Sequence, residues 1–221
     1  MKRVARYVGE KMPWNVVLAY LLCSALCSAM VLYRYAVTGK TTYAWLVVPN
    51  LVLAWMPFGF ALAIELGRGL GWRSRGAYLV LGGLWLLFFP NAPYIVTDLI
   101  HLVYIKDAVS IYFDIALVAL AALTGLGLAF HSLGMVHDWV ERAAGRVAGW
   151  AFVAAIWGLS SVGIYLGRVE RWNSWDALRS PLLIFEHLLA ALRGGELLPI
   201  VVSFTLVPAV LYVAFRARRV A

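Results

Sequence analysis

The sequence predicts an all-α, polytopic transmembrane helix bundle of about six spans, with a proline-broken third span and a helix lying along the outer interface. Three observations predict it. Of 221 residues, 63% are hydrophobic and only 14% charged, at a mean hydropathy of +0.83, which leaves too little polar surface to cover a water-soluble globule of that size. Six apolar runs lie between the charges, each near the roughly 20 residues that carry a helix across about 30 Å of hydrocarbon at 1.5 Å per residue. The charges themselves are unevenly divided between the connecting segments. This composition excludes a disordered chain, a disulfide-stapled secreted domain and an ordinary nucleic-acid binder, although the net charge of +8 on its own would suit the last.

The spans are taken in order. Trp14 to Val37 follows a basic start, so it reads as an uncleaved signal anchor and not a removed leader. Its Cys23 and Cys27, one turn apart on one face, suit packing and have no ordinary disulfide geometry within a continuous helix. Tyr43 to Leu66 is the second span. The third runs from Gly76 to about Tyr104 and is interrupted by Pro90-Asn91-Ala92-Pro93, where the prolines remove backbone donors. Ala108 to His131, Ala148 to Gly167 and Leu197 to Phe215 complete the set. Between the last two, Ser180-Pro181 and Gly194-Gly195 bracket a helix with an N-cap, an N1 proline and a C-terminal glycine. With Leu182, Leu183, Leu188, Leu189 and Leu192 it is too short to span and should lie in the outer interface. Residues 1–221 are read as a single integral membrane domain.

An even number of spans puts both termini on one side, and both are basic, so that side is expected to be cytoplasmic. On this topology twelve Lys and Arg face inward with four acids, while seven Lys and Arg face outward with seven acids. The whole positive excess is then cytoplasmic, where it would hold anionic lipid headgroups. No nucleic acid is needed to explain it. Trp14, Trp72, Trp139 and Trp150 fall near inner interfaces, and Trp45, Trp172 and Trp175 near outer ones, as an aromatic belt requires.

Ionisable residues within apolar spans are costly and point to a partner or a wet cavity. If helix resumes after the prolines, Tyr94, Thr97, Asp98 and His101 share one face at spacings of three and four. Asp114 adds a carboxylate in the outer half of span four, and Asn50 an amide at similar depth on span two. Gly163 and Gly167 allow close helix approach and bring in Arg168 and Arg171, followed by Asn173 and Asp176. In the structural reading, the arginines neutralise Asp98, Asp114 or Asp176, and Asn50 and Asn91 cap backbone groups freed by the prolines. In the functional reading the candidate outer-face cluster is Asn91, Tyr94, Asp98, His101, Asp114, Arg168, Arg171, Asn173 and Asp176. There Asp98, His101 and Asp114 would ligate a divalent metal or act as acid and base, and the arginines would grip a lipid phosphate. His131, His137 and Asp138, with Glu141 following, read as a solvated inner helix end, with metal binding as the alternative. His187 reads as a residue of the wet boundary or a lid over the outer site, and Glu65 with Arg68 as an exposed pair worth little.

The stretch Phe88-Phe89-Pro90-Asn91-Ala92-Pro93-Tyr94-Ile95-Val96-Thr97-Asp98-Leu99-Ile100-His101-Leu102, with Gly167-Arg168 and Arg171-Trp172-Asn173-Ser174-Trp175-Asp176, resembles a family of bacterial multi-pass membrane proteins, domain of unknown function 1361. The resemblance covers most of the chain. It implies a protein of the bacterial inner or plasma membrane and transfers no catalytic role. The function expected is therefore an integral membrane protein with an outward-facing polar site that binds lipid headgroups or an envelope precursor. The alternative is a metal-dependent hydrolase or transferase acting on a lipid-linked or phosphorylated substrate at the outer leaflet. A small-solute transporter is third, since no charged path crosses the mid-membrane and no inverted repeat is evident.

Overall fold

The computed structural model describes residues 13–104, 109–172 and 176–217. Among them there is no strand, and six helical segments are long and apolar enough to cross a membrane. The first two are α1 (Trp14–Thr38) and α2 (Thr42–Gly69). The third, Arg75–Val103, is assembled from α3 (Arg75–Phe88), α4 (Asn91–Tyr94), a 3-10 helix (Ile95–Ile100) and the start of α5 (His101–Tyr104). The others are α6 (Ile111–Ala144), α7 (Arg146–Arg168) and α10 (Leu197–Ala217), with the short α8 (Asp176–Arg179) and α9 (Pro181–Gly194) between the last two. The chain is a multi-pass membrane protein. Leu22, Leu32, Leu79, Val80, Leu123, Val147 and Val210 all point outward, the exterior that lipid requires and water would penalise.

Span four is longer than expected: the helix continues from His131 to Ala144. Nothing between those residues breaks a helix, and the turn comes only at Gly145, whose φ of +87° joins α6 to α7. A residue with a Cβ is strained in that conformation. At 1.5 Å per residue, 34 residues reach about 51 Å, well beyond the hydrocarbon thickness, so one end of α6 extends past the apolar core.

Chain contacts gather into two compact units, Met1–Met135 and Val136–Ala221, with the boundary inside α6. In the first unit α2 is the central element. It buries Tyr43, Val47, Leu51, Ala54, Phe58, Ala61 and Ile64, a stripe at spacings of three and four, and packs against α1, α3, α4 and the 3-10 helix. Pro49 and Pro57 lie inside it without ending it. Trp55 Nε1 donates to Ser24 Oγ of α1 at 3.1 Å, and Tyr20 of α1 meets His131 Nδ1 of α6 at 2.8 Å. Cys23 and Cys27 are free thiols, Cys27 buried.

In the second unit α7 and α10 form the main pair. Gly149, Val153, Ile156, Trp157, Ser160 and Ile164 make the buried face of α7, and Ser161 Oγ meets Thr205 Oγ1 of α10 at 2.8 Å. Helix α9 begins at Pro181 and is closed by Gly195 at φ +78°, as its bracketing residues predicted. Its Leu188 and Ala191 pack with Tyr165 of α7 and Leu197 of α10, while Leu182, Phe185 and Leu192 remain exposed.

Gly125 of α6 sets the approach to the third span, since a Cβ there would stand 2.5 Å from the Ala92 carbonyl oxygen. Backbone cannot move aside as a flexible side chain can. Gly125→Ala is expected to cost about 1–3 kcal/mol, the usual range for overpacking. Gly82→Ala, where a Cβ meets nothing within 4 Å, is expected to gain about 0.5–1 kcal/mol from helix propensity. Thermal unfolding in detergent distinguishes opposite shifts of the midpoint from equal ones.

Candidate functional site

The proline segment stays helical by changing its winding. Pro90 adopts φ −58° and ψ −26°, so the chain turns on, but the ladder is offset: Ala92 N–H donates to Phe89 O at 3.2 Å. Asn91 Nδ2 takes up the carbonyl of Phe88 at 3.0 Å, the capping role expected of it. The chain then tightens to a 3-10 helix over Ile95–Ile100. Six residues is long for this winding, which rarely exceeds 3–4 residues.

At three residues per turn, positions 95, 98 and 101 eclipse one another, and that stacking builds the site. Asp98 is buried, its side chain 2% exposed, with His101 next along the same edge at 30%. Asn50 Nδ2 of α2 donates to Asp98 Oδ2 at 2.6 Å, so this amide serves the carboxylate and not the backbone around Pro49. His101 Nε2 stands 3.9 Å from Asp98 Oδ1. That is an ionic distance, too long for a direct hydrogen bond and suited to a bridging water or a ligand atom. Thr97 Oγ1 donates to the Tyr94 carbonyl at 2.6 Å, which fixes the turn that presents Asp98.

Asp114 has a different partner. Arg34 Nε donates to its Oδ1 at 3.0 Å and Nη2 approaches Oδ2 at 3.4 Å, a two-pronged pair with both side chains 1% exposed. The guanidinium also lies 4.5 Å from the centroid of Tyr43. Arg34, one of the seven Lys and Arg assigned above to the outer side, lies within the apolar span α1. The signal was present, because it lies inside the first apolar run and a charge there demands a partner. The metal trio expected from Asp98, His101 and Asp114 is not assembled: among the described residues no group of three or more His, Cys, Asp and Glu is arranged to hold a metal ion. Asp114 is engaged by Arg34 instead.

The remaining expected residues lie in the second unit. Arg168 ends α7, and Asp176 opens α8. Asn173 falls outside the described residues. Arg171 is exposed, with φ +59°. It occupies the left-handed position after α7, where Trp172 N–H returns to Leu166 O at 2.9 Å. Glycine is the usual occupant of that closure, and another side chain costs about 1–2 kcal/mol.

Two further clusters of this unit were not anticipated. Glu170 accepts from Tyr165 Oη at 3.2 Å and is bonded to His187 Nδ1 at 2.9 Å. His137, expected at a solvated helix end, is fully buried. Its Nδ1 meets Tyr212 Oη at 3.0 Å, Trp150 lies edge-on at 4.9 Å, and Arg216 bridges Asp138 and Glu141 nearby. His137 and Tyr212 are 75 residues apart in sequence, so local composition could not reveal their contact.

The Arg34–Asp114 pair predicts a sharp non-additivity. Arg34→Met or Asp114→Leu alone leaves a buried charge uncompensated and is expected to cost about 3–5 kcal/mol, whereas the double substitution should cost far less than the sum. Unfolding free energies of the four proteins in detergent test this, and additive losses would remove the pair from its structural role.

In comparison with known proteins, residues 49–211 match the family model described as "Protein of unknown function (DUF1361)". No curated protein and no solved structure matches the chain significantly.

Proposed function

The chain belongs to the DUF1361 family, which assigns no activity, and from its own residues we propose that it is a bacterial plasma-membrane protein that binds the polar group of a lipid or envelope precursor at the outer leaflet. In this reading both termini are cytoplasmic, and the inner excess of Lys and Arg holds anionic lipid. The recognition site is the wound-up end of the third span. His101 supplies the exposed polar edge, Asp98 and Asn50 set its orientation, and Asn91 and Tyr94 shape the turn beneath it. Arg168, Arg171, Asn173 and Asp176 fall on the outer side by the same charge count, and guanidinium groups there suit phosphate.

The observation that carries this reading is the contrast between two buried carboxylates. Asp114 is neutralised by a two-pronged guanidinium. Asp98 accepts from the Asn50 amide and lies 3.9 Å from a partly exposed imidazole. A pair built only for stability would close that gap. An imidazole with 30% of its side chain exposed beside a buried carboxylate can give or take a hydrogen bond with something outside the packing.

Two measurements check the proposal. Gently purified wild type is expected to retain a polar lipid, identified by mass spectrometry, and His101→Ala to retain about tenfold less, the loss of one hydrogen bond to a charged group. Equal retention by two equally stable proteins would sink the site. A reporter fused after Ala221 should read as cytoplasmic, and an external signal would overturn the sidedness on which an outer site depends.

A further inference from the structure

The second unit contains an open cavity of about 450 Å³ bordered by α9, by Tyr165 and Glu170 at and just past the end of α7, and by Glu196 ahead of α10. We propose that this cavity binds a primary ammonium group on a short apolar stem, carried either by an aminophospholipid headgroup or by a soluble polyamine.

The lining carries three carboxylates, Glu170, Glu186 and Glu196, with His187 and the hydroxyl-bearing Tyr165. None of the described lining residues is Lys or Arg, so the cavity presents three carboxylates to whatever enters. Glu170 is the fixed member. One carboxylate oxygen takes the Tyr165 hydroxyl and the other meets His187 Nδ1, and each oxygen keeps a second lone pair for a further donor. Trp172 stands edge-on to the His187 ring at 5.6 Å and supports it from the side. The carboxylate is therefore positioned before any ligand arrives.

The geometry selects the kind of cation. A bare metal ion needs several ligand atoms within about 2.0–2.6 Å, and among the described residues no three acidic, His or Cys groups are arranged that way. The volume instead falls in the range of about 300–1,000 Å³ typical of organic ligands. A quaternary ammonium offers no N–H and is usually held by a cage of aromatic faces, whereas Tyr165 is the one Phe, Trp or Tyr among the described lining residues. A primary ammonium donates three hydrogen bonds and matches acceptors spread around a wider space. Leu183, Ala190 and Ala191 supply apolar wall for the methylene stem.

Helix α9 also fixes where the ligand comes from. Its exposed Leu182, Phe185 and Leu192 form a stripe suited to lying at the boundary of headgroups and acyl chains. The cavity mouth then stands at headgroup level, which favours the lipid-borne amine.

The test uses the full chain in nanodiscs of phosphatidylethanolamine, phosphatidylcholine and phosphatidylglycerol, with bound lipid read by native mass spectrometry. Spermidine titrated into lipid-free detergent samples forms a second arm. Wild type is expected to prefer the ethanolamine lipid over the choline lipid about tenfold, and Glu170→Gln with Glu196→Gln to abolish that preference, as expected when charge-assisted bonds become neutral ones. Binding of spermidine but neither zwitterionic lipid would assign the site to a soluble amine. Should the double variant lose its helical circular dichroism, Glu186→Gln decides, because Glu186 is exposed on α9 and its loss should weaken amine binding about threefold without disturbing packing. Equal binding of both zwitterionic lipids with no binding of spermidine, or amine binding unchanged in the variants, would overturn the proposal.

Discussion

The first unit is organised by the need to hide one charge pair from hydrocarbon. Arg34 and Asp114 sit at the ends of α1 and α6 with essentially no exposure, and neither could be there alone, since an unpaired ion inside a bilayer is costly by any measure. Pairing them fixes the two helices in register at that end. The Tyr43 ring beneath the guanidinium then ties the start of α2 to the same point. From that anchor α2 presents Asn50 two turns further on, and Asn50 holds Asp98. The candidate site thus inherits its geometry from an ion pair that takes no part in it.

The winding of the third span makes a second constraint productive. Proline withholds a donor from the helical ladder, and inside a membrane no water replaces it. Here the chain shifts its hydrogen bonds by one residue, enlists the Asn91 side chain for Phe88, and continues as a 3-10 helix. The change from 3.6 to about three residues per turn brings Asp98 and His101 onto one edge. A straight α-helix would have set them on neighbouring ridges, each freer to find other partners.

Much of this fold was legible in the sequence, because transmembrane segments announce themselves by length and hydropathy. Five of the six spans end within about three residues of the expected positions. The exception, α6, shows the limit of that signal: falling hydropathy after His131 marks where a helix leaves lipid, not where it stops. The interruption at Pro90 and the short α9 were equally readable from local chemistry. The partnerships were not. Arg34 lies 80 residues from Asp114, Asn50 lies 48 from Asp98, and His137 meets Tyr212 across 75. Single-sequence periodicity says which face a residue occupies and says nothing of what lies opposite.

Charge counting by side has a related limit. On the topology proposed above, seven basic and seven acidic residues on the outer side would look like a balanced surface available to a ligand. Arg34 and Asp114 leave that account together, as a neutral buried pair. Asp98 is buried against an amide, and Glu170 spends one acceptor site on each oxygen inside its own unit. Net charge therefore sets orientation and counterion preference, whereas binding depends on which charged atoms still carry an open lone pair or proton where a ligand can reach. By that criterion the cavity around Glu170 stands out, a carboxylate already fixed in place with acceptor capacity to spare, while His101 contributes exposure: an imidazole edge that a ligand can reach beside a buried carboxylate.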